Sequence, residues 1–196
     1  MTPTKDERRQ QILEAALRAF SENGYAKTTM DDIVKLSGLS KGTLYWHFKN
    51  KQDLFIATIM MLFSNIDREL ASLVQQDAPA EDRIRAFALQ VGTFFKANKP
   101  YVGLLVDAFF QSYQSEESLQ AMQELYQNYI VSVETIIRQG IDNGEFREVD
   151  PHTAAIALMA GGDGIALYML LEPSWDVAQT YTTTVEWILR GLKTED

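Results

Sequence analysis

Tyr45, Trp46, His47 and Phe48 stand in a row, with Lys41, Lys49 and Lys51 around them. A phenol, an indole N–H, an imidazole N–H and an ammonium all donate hydrogen bonds, and all suit phosphate oxygens. Ser40 can cap a short helix over 41–47. Its hydroxyl and the open N–H groups of that helix can hold a phosphate, aided by the helix dipole. Gly42 lets another backbone come close. Lys41 can reach a base edge or a phosphate, and Thr43 a thymine methyl group or a base edge. Leu44 and Phe48 are four apart and share one face, which predicts a packed side. Tyr45 falls at the edge of that face, and Trp46 and His47 on the outward side. Lys49 and Lys51 follow where a nucleic-acid backbone would pass.

Other chemistries find no residues to carry them. The chain has no cysteine, and its two histidines, His47 and His152, are far apart in sequence, so neither a metal site nor a cofactor is expected. No serine and histidine are arranged for nucleophilic catalysis, so no enzyme is expected. The pairs Asp31–Asp32 and Glu116–Glu117 read as a helix first turn and a solvated loop. Asp163 differs, because it lies inside the apolar stretch "MAGGDGIALYM". A carboxylate there is costly unless paired or hydrated. It can attract a cationic ligand, bond a neighbouring helix or face a dimer seam. Phe94, Phe95, Tyr101, Phe109, Phe110, Tyr113, Tyr126 and Tyr129 fall on three successive helical segments. Such a stripe is either plain core or the lining of a cavity between helices.

These residues need helices to position them, and helical signals dominate. Thr4 with Glu7 predicts a capping box, and Ile12, Leu13, Ala16, Leu17 and Phe20 form an apolar stripe. Asn23–Gly24 should end that helix with glycine in the left-handed C′ conformation. Thr29 caps a second helix with Asp32 at N3, and Gly38 stops it. The second and third helices are separated only by "GLS", which is the helix-turn-helix pattern. In that unit the second helix enters the major groove of DNA. Asn50 with Asp53 opens a long helix through Leu73. Further helices follow "QQDAPAED" and "QSEES", Asp150–Pro151 caps one that runs to about Leu171, and a last helix spans about 175–192. No alternating strand pattern appears, so the fold class is all-α.

Composition sets the limits. The chain has 196 residues, a net charge of -9 and 46% hydrophobic residues, enough for a sizeable core. The absence of cysteine fits a reducing cytoplasm. No unbroken run of about 18 apolar residues is present, so no membrane span is expected. Residues 1–51 carry nine Lys/Arg against six Asp/Glu, whereas the remainder carries nine against 21. A basic head on an acidic body suggests that only the head meets a polyanion.

The stretch "TTMDDIVKLSGLSKGTLYWHFKNKQDLF" resembles the tetracycline-repressor (TetR) family of bacterial transcriptional regulators, with the likeness running from Ile12 to Phe55. Trp46 stands where that family often has a smaller or more polar residue. The resemblance implies about nine helices: an N-terminal three-helix bundle with the helix-turn-helix over 1–50, and a larger helical domain over 51–196 that binds a ligand and dimerises. It implies a homodimer through the last two helices, about 151–192. It also implies a small-molecule effector, and the acidic, aromatic second domain leans towards a lipophilic one. Thr29, Ser40, Lys41, Thr43, Tyr45, Trp46, His47 and Lys51 fall on the family's DNA-contacting positions. The expected function is a repressor released from an inverted-repeat operator in double-stranded DNA. Two rivals stand beside it: an architectural DNA binder without effector, and a small-molecule enzyme or carrier with a vestigial motif.

Overall fold

Most helix starts in this chain fall where a short polar side chain takes up free backbone N–H groups, the one at Ala80 after Pro79 being an exception. The computed structural model describes residues 4–172 and 174–194. Along them run α1 (Lys5–Lys27), α2 (Met30–Ser37), α3 (Lys41–His47), α4 (Lys51–Val74) and α5 (Ala80–Ala97). A 3-10 turn at Lys99–Tyr101 precedes α6 (Val102–Ser112), α7 (Glu116–Asp142), α8 (Pro151–Leu171) and α9 (Val177–Leu192). The fold is all-α. Its sole extended pairing among the described residues is an isolated bridge between Phe146 and Lys193.

The expected caps form. Glu7 N donates to Thr4 Oγ1 at 3.2 Å, and Thr4 N donates to Glu7 Oε2 at 2.6 Å. Asp53 N donates to Asn50 Oδ1 at 2.9 Å, and Thr153 N to Asp150 Oδ2 at 2.9 Å. The last helix starts at Val177 rather than Trp175, because Asp176 is its cap and accepts from Gln179 N at 3.1 Å. The first helix departs more. Gly24 has φ 74 and ψ 164, which is an extended glycine conformation and not the left-handed one. One more helical turn follows, to Lys27, and Thr28 closes it. Thr28 is buried and donates its hydroxyl to Ala19 O at 3.1 Å and Gly24 O at 2.8 Å.

The chain folds as two compact units. One comprises Met1–Phe63 with Gly103–Gln123, the other Ser64–Val102 with Glu124–Asp196. The contact boundary therefore falls inside α4, not at Asn50–Lys51, because the first half of α4 belongs with α1. Phe55 meets Phe20 edge-on at 4.9 Å and Tyr25 at 4.7 Å. The core of this unit is made of Ile12, Leu13, Ala16, Phe20, Ile33, Leu44, Phe48, Leu54, Phe55 and Ile59.

In the other unit α5 and α8 pack on α9. Three glycines permit close approach, Gly140 most tightly, since a Cβ there would run into the Phe146 ring. A Cβ on Gly92 would lie 2.9 Å from Ala178 Cα, and one on Gly162 would lie 3.2 Å from the Tyr181 ring. Gly161 and Gly164 have no such neighbour, so only one of the three α8 glycines serves close packing here. By length and composition α8 could cross a membrane, with mean hydropathy 1.7 over its most apolar window. This qualifies the expectation that no segment could. Asp163 and three glycines interrupt it, and Ala155, Leu158, Ala166 and Met169 are buried in the protein.

Candidate nucleic-acid interface

Two helix starts and one turn place the recognition residues. Thr29 and Asp32 cap α2 reciprocally, with Asp32 N donating to Thr29 Oγ1 at 3.2 Å and Thr29 N to Asp32 Oδ2 at 3.0 Å. The Thr29 bonds hold the Asp32 carboxyl below its usual range. Gly38, at φ 67 and ψ 10, ends α2 in the left-handed conformation that the tight turn demands. Gln11 Nε2 then fastens the turn to α1 by donating to Ser37 O at 2.7 Å. Ser40 caps α3, accepting from Thr43 N at 3.0 Å, and its hydroxyl also pairs with the Thr43 hydroxyl at 2.8 Å.

α3 then divides as its spacing demands. Leu44 and Phe48 are buried, whereas Tyr45 is 46% and Trp46 64% exposed. Gly42 is also exposed, and a Cβ there would meet only Ser40 Oγ, at an ordinary 3.8 Å. Nothing inside the fold therefore requires glycine at this position. Lys41 reaches back to α2 and pairs with Asp31 at 2.8 Å, and that bond raises its pKa.

Three basic residues that the sequence reading passed over join this face. Lys5 Nζ lies 4.9 Å over the Trp46 ring, and the Arg9 guanidinium lies 5.4 Å over the Phe48 ring. Burial lowers the His47 pKa, and the charges of Lys5, Arg9 and Arg8 lower it further. The run "KDERR" was visible in the sequence, but it read only as a helix start. Its closeness to α3 is a tertiary fact.

Lys49 and Lys51 are not simply loose cations. Lys49 Nζ pairs with Glu117 at 2.9 Å, with both side chains well exposed. The Lys51 ammonium donates to Tyr25 O at 2.8 Å, Thr28 O at 3.0 Å and Ala26 O at 3.3 Å, and sits 4.3 Å over the Tyr25 ring. All three of its N–H donors thus close the end of α1.

The expected ligand-pocket residues are divided between the two units. Phe109, Phe110 and Tyr113 belong to the first unit, and Phe110 and Tyr113 are 68% and 75% exposed. In the second unit Phe94 and Phe95 meet edge-on at 5.5 Å, and Phe95 and Tyr129 are buried. Tyr101 is half-buried in the 3-10 turn. Asp163 has a partner: the Tyr126 hydroxyl bonds its carboxylate, while burial pushes the carboxyl up to about 6. Burial and this neighbouring carboxylate raise the Tyr126 pKa. One turn along α7, Tyr129 bonds Asp67, whose pKa burial also raises. That second pair went unforeseen, because Asp67 sits in an ordinary-looking amphipathic stretch. Of the two histidines, His152 Nδ1 lies 3.0 Å from Glu134.

Comparison with known proteins agrees along the chain. Residues 12–58 match the family described as bacterial regulatory proteins, tetR family. Residues 77–191 match a tetracyclin repressor-like C-terminal domain. The HTH-type transcriptional regulator TtgR of Pseudomonas putida is 30% identical over 196 residues, covering 95% of this chain and 90% of its own. Among solved structures, the Bacillus subtilis regulator FadR in complex with stearoyl-CoA superposes with a TM-score of 0.80 at 22% identity, covering 93% of this chain and 98% of its own. SmeT, repressor of the Stenotrophomonas maltophilia multidrug efflux pump SmeDEF, gives 0.80 at 24% identity, covering 99% and 92%.

Proposed function

The chain belongs to the TetR family of bacterial transcriptional regulators, and from that premise we propose that it is a dimeric repressor released from an inverted-repeat operator by a lipophilic small molecule. It acts in the cytoplasm and catalyses no reaction. The functional division stays at Asn50–Lys51, where the recognition unit ends and α4 begins. The observation that carries the reading is Gly42. Glycine inside a helix costs about 1 kcal/mol relative to alanine. Here no neighbour inside the protein asks for it. A duplex backbone or base edge pressed against α3 does. Ser40, Lys41, Thr43, Tyr45, Trp46 and His47 surround it, and Lys5, Arg8 and Arg9 extend its positive charge. Thr29 and Lys49 flank the same surface.

Two copies of the chain are required to read an inverted repeat. The proposed seam is α8 with α9, where Ile156, Leu167, Leu171 and Trp187 are exposed. The effector site is assigned to the second unit, around Phe94, Tyr126 and Asp163. A lipophilic effector fits those rings, and it fits what structural relatives hold: stearoyl-CoA in FadR and triclosan in SmeT. A tenfold loss of operator affinity on effector binding takes only about 1.4 kcal/mol of coupling.

Gly42→Ala tests the carrying observation, because the free fold and the complex make opposite demands. The expected result is an unchanged or higher melting temperature together with at least tenfold weaker duplex binding, read by fluorescence anisotropy. Equal duplex affinity in the two proteins would remove the main support for docking through α3.

A further inference from the structure

Lys41 begins α3 and Lys49 follows its end, and in the free protein each is held by a carboxylate from another helix. Lys41 Nζ pairs with Asp31 of α2 at 2.8 Å, and Lys49 Nζ with Glu117 of α7 at 2.9 Å. These bonds raise the pKa of both lysines. All four side chains are exposed. Ion pairs so exposed add little to the stability of a fold. Neither carboxylate serves as a cap: Thr29 and Asp32 cap α2, and Ser115 Oγ accepts from Ser118 N at 3.1 Å at the start of α7.

The cations of α1 differ. Lys5, Arg8 and Arg9 make no ion pair among the described residues. Lys5 and Arg9 lie over aromatic rings instead. The basic face therefore carries two kinds of cation, free ones on α1 and held ones beside α3. A phosphate can take the free ones directly. A phosphate or base edge takes Lys41 or Lys49 only by displacing a carboxylate, which is then left facing a polyanion.

Resting on the DNA-binding reading above, we propose that Asp31 and Glu117 compete with DNA for Lys41 and Lys49 and so restrain sequence-independent binding. The α1 cations supply the general attraction. The two held lysines engage only where contacts from Thr43, Tyr45 and Trp46 offset the exchange. Asp31 and Glu117 also stand in helix first turns, where a negative charge complements the dipole. Glu116 does the same on α7, is exposed, and holds no lysine among the described residues. It is therefore the control for charge alone.

The test is binding of the full chain to a random-sequence duplex pool, read by fluorescence anisotropy between about 50 and 200 mM salt. Glu117→Gln and Asp31→Asn each bind at least about threefold more tightly than the parent at the lowest salt, and that advantage shrinks about threefold across the range, as one added phosphate contact requires. Glu116→Gln gives a smaller gain with the parental salt slope. Lys49→Ala in the Glu117→Gln background returns the slope to that of the parent. All these changes are at exposed side chains, and melting curves check that each variant is folded. Parental affinity and slope in either folded variant would overturn the proposal for that carboxylate. A Glu116→Gln protein that matches Glu117→Gln would overturn it for Glu117, since charge alone would then account for the gain. Neither result touches the docking surface. Absence of duplex binding in every protein, parent included, would overturn that surface and this proposal with it.

Discussion

Lys51 shows how a side chain can satisfy a motif and still have another use. Its ammonium ties three carbonyls at the end of α1. Lys51→Ala should therefore destabilise the recognition unit by about 1–3 kcal/mol, since those carbonyls lose a charged donor. A chemical melt reads this directly, and an unchanged midpoint would mean that the clamp contributes nothing. Asp163 gives a prediction with a pH sign. Its folded pKa is raised from 3.8 to about 6, so the native state holds its proton more tightly than the unfolded chain. Stability from this group is therefore present at low pH and lost as pH rises through that window. Asp163→Asn should flatten the dependence of Tm on pH between 3.8 and 6 and raise Tm at neutral pH. A wild-type Tm that rises with pH across the window, with the same slope in the variant, would contradict this.

Helix boundaries show which information is local. The pairs Thr4/Glu7, Thr29/Asp32, Asn50/Asp53 and Asp150/Thr153 could all be read from sequence, because each cap involves residues three apart. The buried and exposed sides of α3 were legible for the same reason, since helical spacing alone separates Leu44 and Phe48 from Trp46. What was not legible depended on residues distant in sequence. The extra turn after Gly24 rests on Thr28 bonding back to Ala19. The basic face of α1 becomes part of the interface only when Lys5 reaches Trp46. Phe110 and Tyr113 read as pocket residues by type, yet exposure is set by tertiary neighbours that spacing does not reveal. Glycines divide likewise. Gly92 lies against the Ala178 backbone, so Gly92→Ala forces α5 and α9 apart and should cost about 1–3 kcal/mol. Denaturant unfolding checks it, and a variant as stable as the parent would show that the α5–α9 contact yields freely.

At the scale of the whole molecule, charge and apolar surface are sorted by place. The net charge of -9 conceals a positive excess over residues 1–51, which favours DNA at the recognition helices rather than elsewhere. The exposed apolar residues of α8 and α9 lie in the second unit, at the proposed dimer seam. Linkage then fixes a reciprocal relation: an effector that weakens operator binding by some factor must itself bind the operator complex more weakly by the same factor. The most direct test of a sequence-specific dimeric regulator is selection of bound DNA from a random duplex pool at near-physiological salt. Enrichment of one inverted repeat, with half-sites about one helical turn apart, is the predicted result. Retention of duplexes with no enriched sequence would contradict it and point to a shape-reading DNA binder instead.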